Sequence, residues 1–297
     1  MLDPRRLQVL REFAAQGTIA LAADALGYTP SAVSQQLAQL QRDAGTELLR
    51  RSGRRLELTD AGHALVEHAG ELLGHIERIE ADLAAHEGAV RGTVRVAAFQ
   101  TAAAHLVVPC LAPLGRDHRQ LRVELVETEA EAALPALVRG DVDVVVADEY
   151  EHAPRPHLPG CSRVELRDDD MLVALPRRHP AARSETVRLS SLAELEWTTV
   201  GAGTAYGEMF TGMCRSAGGF EPIIRHRASD LQVLLDLVAS TGVGAIVPAI
   251  GRPERDRRVA VRRLAEGSFS RRIYLSMRAS DGKRPAIQAI VETLAAA

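Results

Sequence analysis

Apolar residues recur in steps of three and four at Leu58, Ala61, Leu65, Ala69, Leu72, Ile76, Ile79 and Leu83. That is the 3.5-residue repeat of a coiled-coil seam, distinct from the 3.6 of a surface helix. The spacing predicts one helix over residues 59–87, ended by Gly88 and ~40 Å long at 1.5 Å per residue. A helix of that length cannot bury its own seam, so it divides the chain and needs something to pack against. Leu65, Leu72, Ile76, Ile79 and Leu83 are the candidate dimerisation residues, making a second copy of the chain the first expected partner. A core helix of the following domain would explain the same stripe. The 297 residues suit two or three domains at roughly 100–200 each.

Before this helix, three shorter ones are punctuated by caps and glycines. Asp3 with Pro4 opens the first, which Gly17 stops; Thr18 opens the second, closed by Gly27; Thr29 with Pro30 opens the third, which runs to Gly45. Only Gly27 and Tyr28 separate the second from the third, a tight helix–turn–helix joint. Ala22, Ala23, Leu26, Val33, Leu37 and Leu40 have the spacing to close a small core. The third helix leaves Ser31, Ser34 and Gln35 facing outward near its start, small or amide side chains suited to base edges, beside Thr29 and Pro30. Next comes Arg50-Arg51-Ser52-Gly53-Arg54-Arg55, four arginines around a hairpin-turn signal. Net charge is −3, so any affinity for nucleic acid must be local. Arg51, Arg54 and Arg55 are the candidate phosphate contacts of a wing; a solvated loop is the plain alternative.

From Gly92 onward, strand patterns (94–99, 121–127, 142–147, 171–175, 223–228, 243–247, 271–277) alternate with helical ones (102–114, 130–139, 204–217, 230–240, 285–297). Such alternation predicts an α/β architecture with mainly parallel sheets, long enough for two lobes and a cleft. The crossings between lobes are expected near Val164 and Leu264. Ligand crevices in such folds lie where strand ends meet helix starts, and helix N-termini favour anions, which admits an anionic effector. Gln100 and Thr101 end the first strand, Thr128 follows the second, and Gly203, Thr204 and Tyr206 begin another helix. Each is a candidate effector contact, and each could serve only as a helix cap.

Other function classes find little support. No stretch approaches the roughly 18 apolar residues of a transmembrane helix, and the N-terminus lacks an apolar signal core, so a cytoplasmic protein is expected. Three widely spaced cysteines, Cys110, Cys161 and Cys214, make neither a disulfide framework nor a metal motif. The run Gly201-Ala202-Gly203-Thr204-Ala205-Tyr206-Gly207 is one residue off the dinucleotide fingerprint, and no G-x-S-x-G occurs. Neither an enzyme nor a cofactor or metal site is expected. A solute-binding or transferase-like α/β protein with an incidental helical N-terminus is the competing reading.

Residues 2–62 resemble the winged helix–turn–helix of LysR-type transcriptional regulators. The resemblance is carried by Leu7, Phe13, Gly17-Thr18, Ala22-Ala23, Leu26, Ala32-Val33-Ser34, Gln36-Leu37, Leu40, Gly45-Thr46, Leu48, Arg51 and Leu58-Thr59-Asp60-Ala61-Gly62. Gly140-Asp141-Val142-Asp143, Ala217-Gly218 with Pro222, and Gly242-Val243-Gly244 with Pro248 are similar to landmarks of the family's effector domain. The resemblance implies a winged domain over 1–58, a linker helix over 59–88 and a two-lobed, periplasmic-binding-protein-like domain over 89–297. The lobes would take 89–163 with 265–297, and 164–264. It further implies double-stranded DNA, a small-molecule effector touching Thr101, a dimer or dimer of dimers, and RNA polymerase as partner of an activator. Pro30-Ser31 and Gln35 depart from the residues many members carry, so a half-site preference does not transfer.

Overall fold

The computed structural model describes residues 1–52, 55–85, 90–150, 154–201, 203–267 and 269–296. It divides into two compact units, Met1–Ala89 with Arg139–Asp141, and Val90–Val138 with Val142–Ala297.

In the first unit, α1 (Pro4–Gln16), α2 (Ile19–Leu26) and α3 (Pro30–Ala44) start where capping chemistry puts them. The Asp3 carboxylate accepts from the Arg5 amide, Thr18 Oγ1 from Leu21 and Thr29 Oγ1 from Ala32, each relieving an orphan donor of a first turn. Gly27 takes φ +66° between α2 and α3, a left-handed turn that a side chain disfavours. Leu10, Phe13, Ala22, Val33, Leu37 and Leu40 bury one shared core. The strands β1 (Leu49–Ser52) and β2 (Arg55–Leu58) pair antiparallel, with Arg51 opposite Leu56. The hairpin is fastened by Gln41, whose Oε1 accepts from the amides of Leu48 and Leu49 at 3.0 and 2.9 Å.

Next follows α4 (Asp60–Ala85), and its seam divides in two. Ala61, Leu65 and Ala69 pack into the winged core, whereas Leu72, Ile79 and Leu83 stay 46%, 49% and 67% exposed. The expected end of this helix at Gly88 lies outside the described residues.

The second unit begins with β3 (Arg91–Ala98) and α5 (Gln100–Ala102), which runs through a π-turn into α6 (Val108–Asp117). It continues with β4 (Gln120–Glu127), α7 (Ala130–Arg139), β5 (Val144–Tyr150) and the long β6 (Cys161–Pro176). The second lobe adds β7 (Thr186–Val187), β8 (Glu196–Thr199), α8 (Ala205–Met213), β9 (Ile223–Arg227), α9 (Leu231–Thr241), β10 (Ala245–Pro248) and β11 (Val259–Leu264). The chain then returns through β12 (Ser270–Arg278) to α10 (Pro285–Ala295).

Strand order is β4-β3-β5-β12-β6-β11-β7, with β10 also on β6. The sheets are mixed, which corrects the expectation of mainly parallel ones. β3 pairs parallel with β4 and β5, but β12 runs antiparallel to β5 and β6. A chain that leaves one lobe and comes back needs crossing strands of opposite direction, and β6 and β12 are that pair. β12 accompanies β6 as far as Asp170, and β10 takes over from Met171, so the outward crossing falls later than Val164. Residues 161–170 were not legible as a strand because their outer face is charged: Arg272 of β12 pairs with Glu165 and Asp168.

Each lobe has its own core. Val94, Val96, Leu106, Val146, Ile273 and Ile290 fill the first, and Trp197 with Phe210, ring centroids 5.3 Å apart, anchors the second. Asp143 shows what the Gly140–Asp143 landmark does: it accepts from the Arg95 amide and pairs with Arg278, locking the start of β5 to β3 and β12.

Wing and linker helix meet at Gly62, where an added Cβ would fall 2.2 Å from the Leu48 carbonyl oxygen, a contact that backbone must absorb. Gly62→Ala is expected to destabilise the first unit by about 1–3 kcal/mol while sparing the second. Hydrogen exchange on α1–α3 against α10 checks this, and equal protection in wild type and variant would refute it.

Candidate functional site

On α3 the inward positions Val33, Leu37 and Leu40 are buried, while Thr29, Pro30, Ser31, Ser34 and Gln35 are exposed along the first turns. Thr29 is the N-cap itself. Gln36 does not join the outer face, because its Oε1 accepts from Arg6 Nε, and Arg6 also pairs with Asp43. Arg51 is exposed on β1. Arg54 lies outside the described residues, and Arg55 opens β2. The α3 turns and the β1 arginine are therefore exposed elements of one small domain, the arrangement a duplex-reading surface needs.

The second site is a cavity between the lobes of the α/β unit, about 660 Å³ including its open mouth. Its inner wall is built around Arg271, at the start of β12 and 4% exposed. Arg271 donates from Nε to Asp169 Oδ2 at 2.9 Å, from Nη1 to Asp148 Oδ2 at 3.1 Å and from Nη2 to Thr101 Oγ1 at 2.8 Å. The guanidinium also lies over the Phe99 ring, 4.6 Å from its centroid. Burial works against its charge, yet Tyr150, Asp148 and Asp169 hold its pKa above the ordinary value. Tyr150 donates its hydroxyl to Asp148 Oδ2, and the Ile250 amide donates to Asp169 Oδ1. The cluster thus gathers β5, β6, β12 and α5 on one side chain.

A second bridge spans the mouth. Arg155 donates to Glu131 at 2.9 Å and to the Asp148 carbonyl at 2.7 Å. Glu131 also accepts from the Ala205 amide at 3.3 Å, so a carboxylate of one lobe serves the first turn of α8 in the other. The cavity wall desolvates Glu131, but the bond from Arg155 outweighs this and lowers its pKa. Glu129 is pushed the other way, by desolvation first and then by the charges of Asp148 and Glu131.

Of the residues expected to meet an effector, Gln100, Thr101, Thr204 and Tyr206 border the cavity, whereas Thr128 and Gly203 do not. Thr101 is not a cap: it sits inside α5, whose N-cap is Phe99, and its Oγ1 is taken by Arg271. Thr204 does cap α8, accepting from the Gly207 amide at 3.1 Å. Tyr206 donates its hydroxyl to the Ile246 carbonyl. Sequence reading missed Arg271, Asp148, Asp169, Glu129 and Arg155. Their signal is faint, for charged residues inside apolar strands are visible at 148 and 271, but their pairing spans more than a hundred positions.

Comparison with known proteins fixes the class. The family model described as "Bacterial regulatory helix-turn-helix protein, lysR family" matches residues 4–63, and the "LysR substrate binding domain" model matches 87–297. The chain belongs to the LysR family: it is a DNA-binding transcriptional regulator with an effector-binding domain. A "Probable hydrogen peroxide-inducible genes activator" of Mycobacterium avium is 29% identical over 266 residues, covering 88% of this chain and 83% of that protein. The "DNA-binding transcriptional dual regulator OxyR" of Escherichia coli K12 is 26% identical over 261 residues, with coverage of 88% and 83%. Full-length CbnR in complex with its target DNA superposes with a TM-score of 0.73 at 25% identity, covering 99% of both chains.

Removing Arg271 would strand two buried carboxylates. Arg271→Gln is expected to destabilise the α/β unit by about 3–5 kcal/mol. Thr101→Val, losing one bond to a buried cation, should cost about 1.5–3 kcal/mol. Urea unfolding followed by Trp197 fluorescence measures both, and a loss below about 1 kcal/mol for Arg271→Gln would contradict the cluster's assigned role.

Proposed function

We propose that this regulator binds duplex DNA as a dimer and is controlled by a small molecule bound in the inter-lobe cavity. The observation that carries the reading is the cavity itself, open at a mouth bridged by Glu131 and Arg155 and closed at its base by the Arg271 cluster. A ligand there would touch both lobes and bias how they close, and its differential affinity for the two arrangements sets the size of the response.

The base-facing residues in this proposal are Ser31, Ser34 and Gln35, with Thr29 capping the helix near a phosphate, Pro30 setting the geometry of its first turn, and Arg51, Arg54 and Arg55 on phosphates or the minor groove. The lower seam of α4, exposed at Leu72, Ile79 and Leu83 and half-buried at Ile76, is the dimer contact; Leu65 serves the winged core as well. Domain limits follow the sequence reading, 1–58, 59–88 and 89–297. The protein acts in the cytoplasm and without catalysis; no helix among the described residues is long and apolar enough to cross a membrane.

Peroxide-responsive relatives suggest a second reading, thiol oxidation, which the cysteines do not favour. All three are free, and Cys110 and Cys214 are buried. Burial pushes the Cys214 thiol up to about 12, helped by Glu221, and burial also raises those of Cys110 and Cys161. Peroxide attacks the thiolate, the form that each of these shifts disfavours.

The test is DNA binding by the full chain across a salt series. Arg54→Ala with Arg55→Ala should weaken all duplexes alike and flatten the slope by about one to two units, since each phosphate contact contributes roughly 0.9. An unchanged slope would return the hairpin to a solvated loop. Leu72→Glu should give monomers by sedimentation together with reduced DNA affinity, because one winged domain reaches one half-site. Intact dimers would remove α4 from the interface. Hydrogen peroxide should leave wild-type binding unchanged; a shift lost in Cys214→Ser would establish the thiol reading instead.

A further inference from the structure

The charges that line the cavity do not balance, and the imbalance has a location. Both cations are committed: Arg271 to Asp148 and Asp169, Arg155 to Glu131 and Asp148. Three carboxylates therefore face two guanidinium groups before Glu129 is counted. Glu129 stands just ahead of α7, exposed at the mouth, and its carboxylate takes no hydrogen bond or ion pair among the described residues.

A second acceptor is left over nearby. Gln100 Nε2 donates to Asp230 Oδ2 at 3.3 Å, and an ionised carboxylate can only accept, so the amide orientation is fixed. Gln100 Oε1 is then a buried oxygen with no partner, in a side chain that borders the cavity. Three hydroxyls on the same wall are already donated, that of Tyr150 to Asp148, that of Tyr206 to the Ile246 carbonyl and that of Thr204 to the Gly201 carbonyl. The first turn of α8, where an anion would be drawn, already holds Glu131 through the Ala205 amide. The remaining wall is mostly apolar, with Leu231, Leu234 and Pro248 beside the small polar Ser229.

We infer that the effector carries a positively charged nitrogen, an ammonium or guanidinium group, paired with Glu129 while its apolar part lies against Leu231, Leu234 and Pro248. The inference rests on reading this cavity as the effector site. An ion pair made in a partly desolvated mouth gains a charge-assisted hydrogen bond without displacing an existing partner. A carboxylate in the same place would meet Glu129, Glu131 and Asp148 with no free cation among the described residues to receive it.

Three probes of nearly one shape separate charge from shape: benzylammonium, benzyl alcohol and benzoate, titrated into the full-length protein by calorimetry. Wild type is expected to bind benzylammonium most tightly. Glu129→Gln, which breaks no contact in the fold, should weaken benzylammonium by about tenfold or more, some 1.4 kcal/mol, and change benzyl alcohol by less than about twofold. Glu129→Lys should reverse the order in favour of benzoate. Preference of the wild type for benzoate would overturn the charge assignment and leave the effector cavity standing. Equal benzylammonium affinity in wild type and Glu129→Gln would overturn Glu129 as the partner. Absence of binding by all three at about 10 mM would overturn both the charge assignment and the cavity as effector site.

Discussion

The α/β unit is organised around one buried cation. Arg271 leaves a single position at the start of β12 and bonds to β5, to β6 and to α5. Burying a guanidinium is costly unless carboxylates and hydrogen bonds surround it, and once they do, loss of any member leaves the others uncompensated. The lobes are consequently joined at their crossing by directional bonds, in a place where apolar packing alone would tolerate sliding. The cavity inherits its base from this cluster, so its shape is as fixed as the crossing strands.

The mouth of the cavity has the opposite character. The bridges there, Arg155 to Glu131 and Glu131 to the Ala205 amide, involve side chains in contact with water. Partly exposed pairs of this kind contribute little to stability and exchange readily. Under the proposed function, a rigid base with a labile mouth would let a small differential affinity move one lobe against the other. The likeness to peroxide-responsive regulators extends over the scaffold, while Cys110 and Cys214 of this chain are buried and burial raises the pKa of all three thiols.

The winged unit follows a different logic, local and modular. Each helix begins at a side-chain cap and three end at a left-handed glycine, so element limits are set within a few residues of themselves. Tertiary contacts then add what those signals lack. Gln41 fastens the hairpin through two backbone amides, and Thr59 caps α4 while its hydroxyl reaches the Glu47 carbonyl. The linker seam is shared between two duties, its upper part within the winged core and its lower part exposed.

The sequence alone determined the helices, the hairpin, the linker and the α/β alternation, because caps, glycines and hydrophobic periods act over fewer than about ten residues. It also pointed to Gln100, Thr101, Thr204 and Tyr206, which sit at strand ends and helix starts, the places where any such fold opens a crevice. It could not place the first half of β6, whose alternation is charged outside, nor decide that Thr101 serves Arg271 in place of a helix cap. Those outcomes depend on partners 102 to 170 positions apart. Whether a carboxylate is paired or left over is a property of three-dimensional neighbours, so only the tertiary structure could distinguish Glu129 from Glu131, two residues away in the chain and opposite in electrostatic fate.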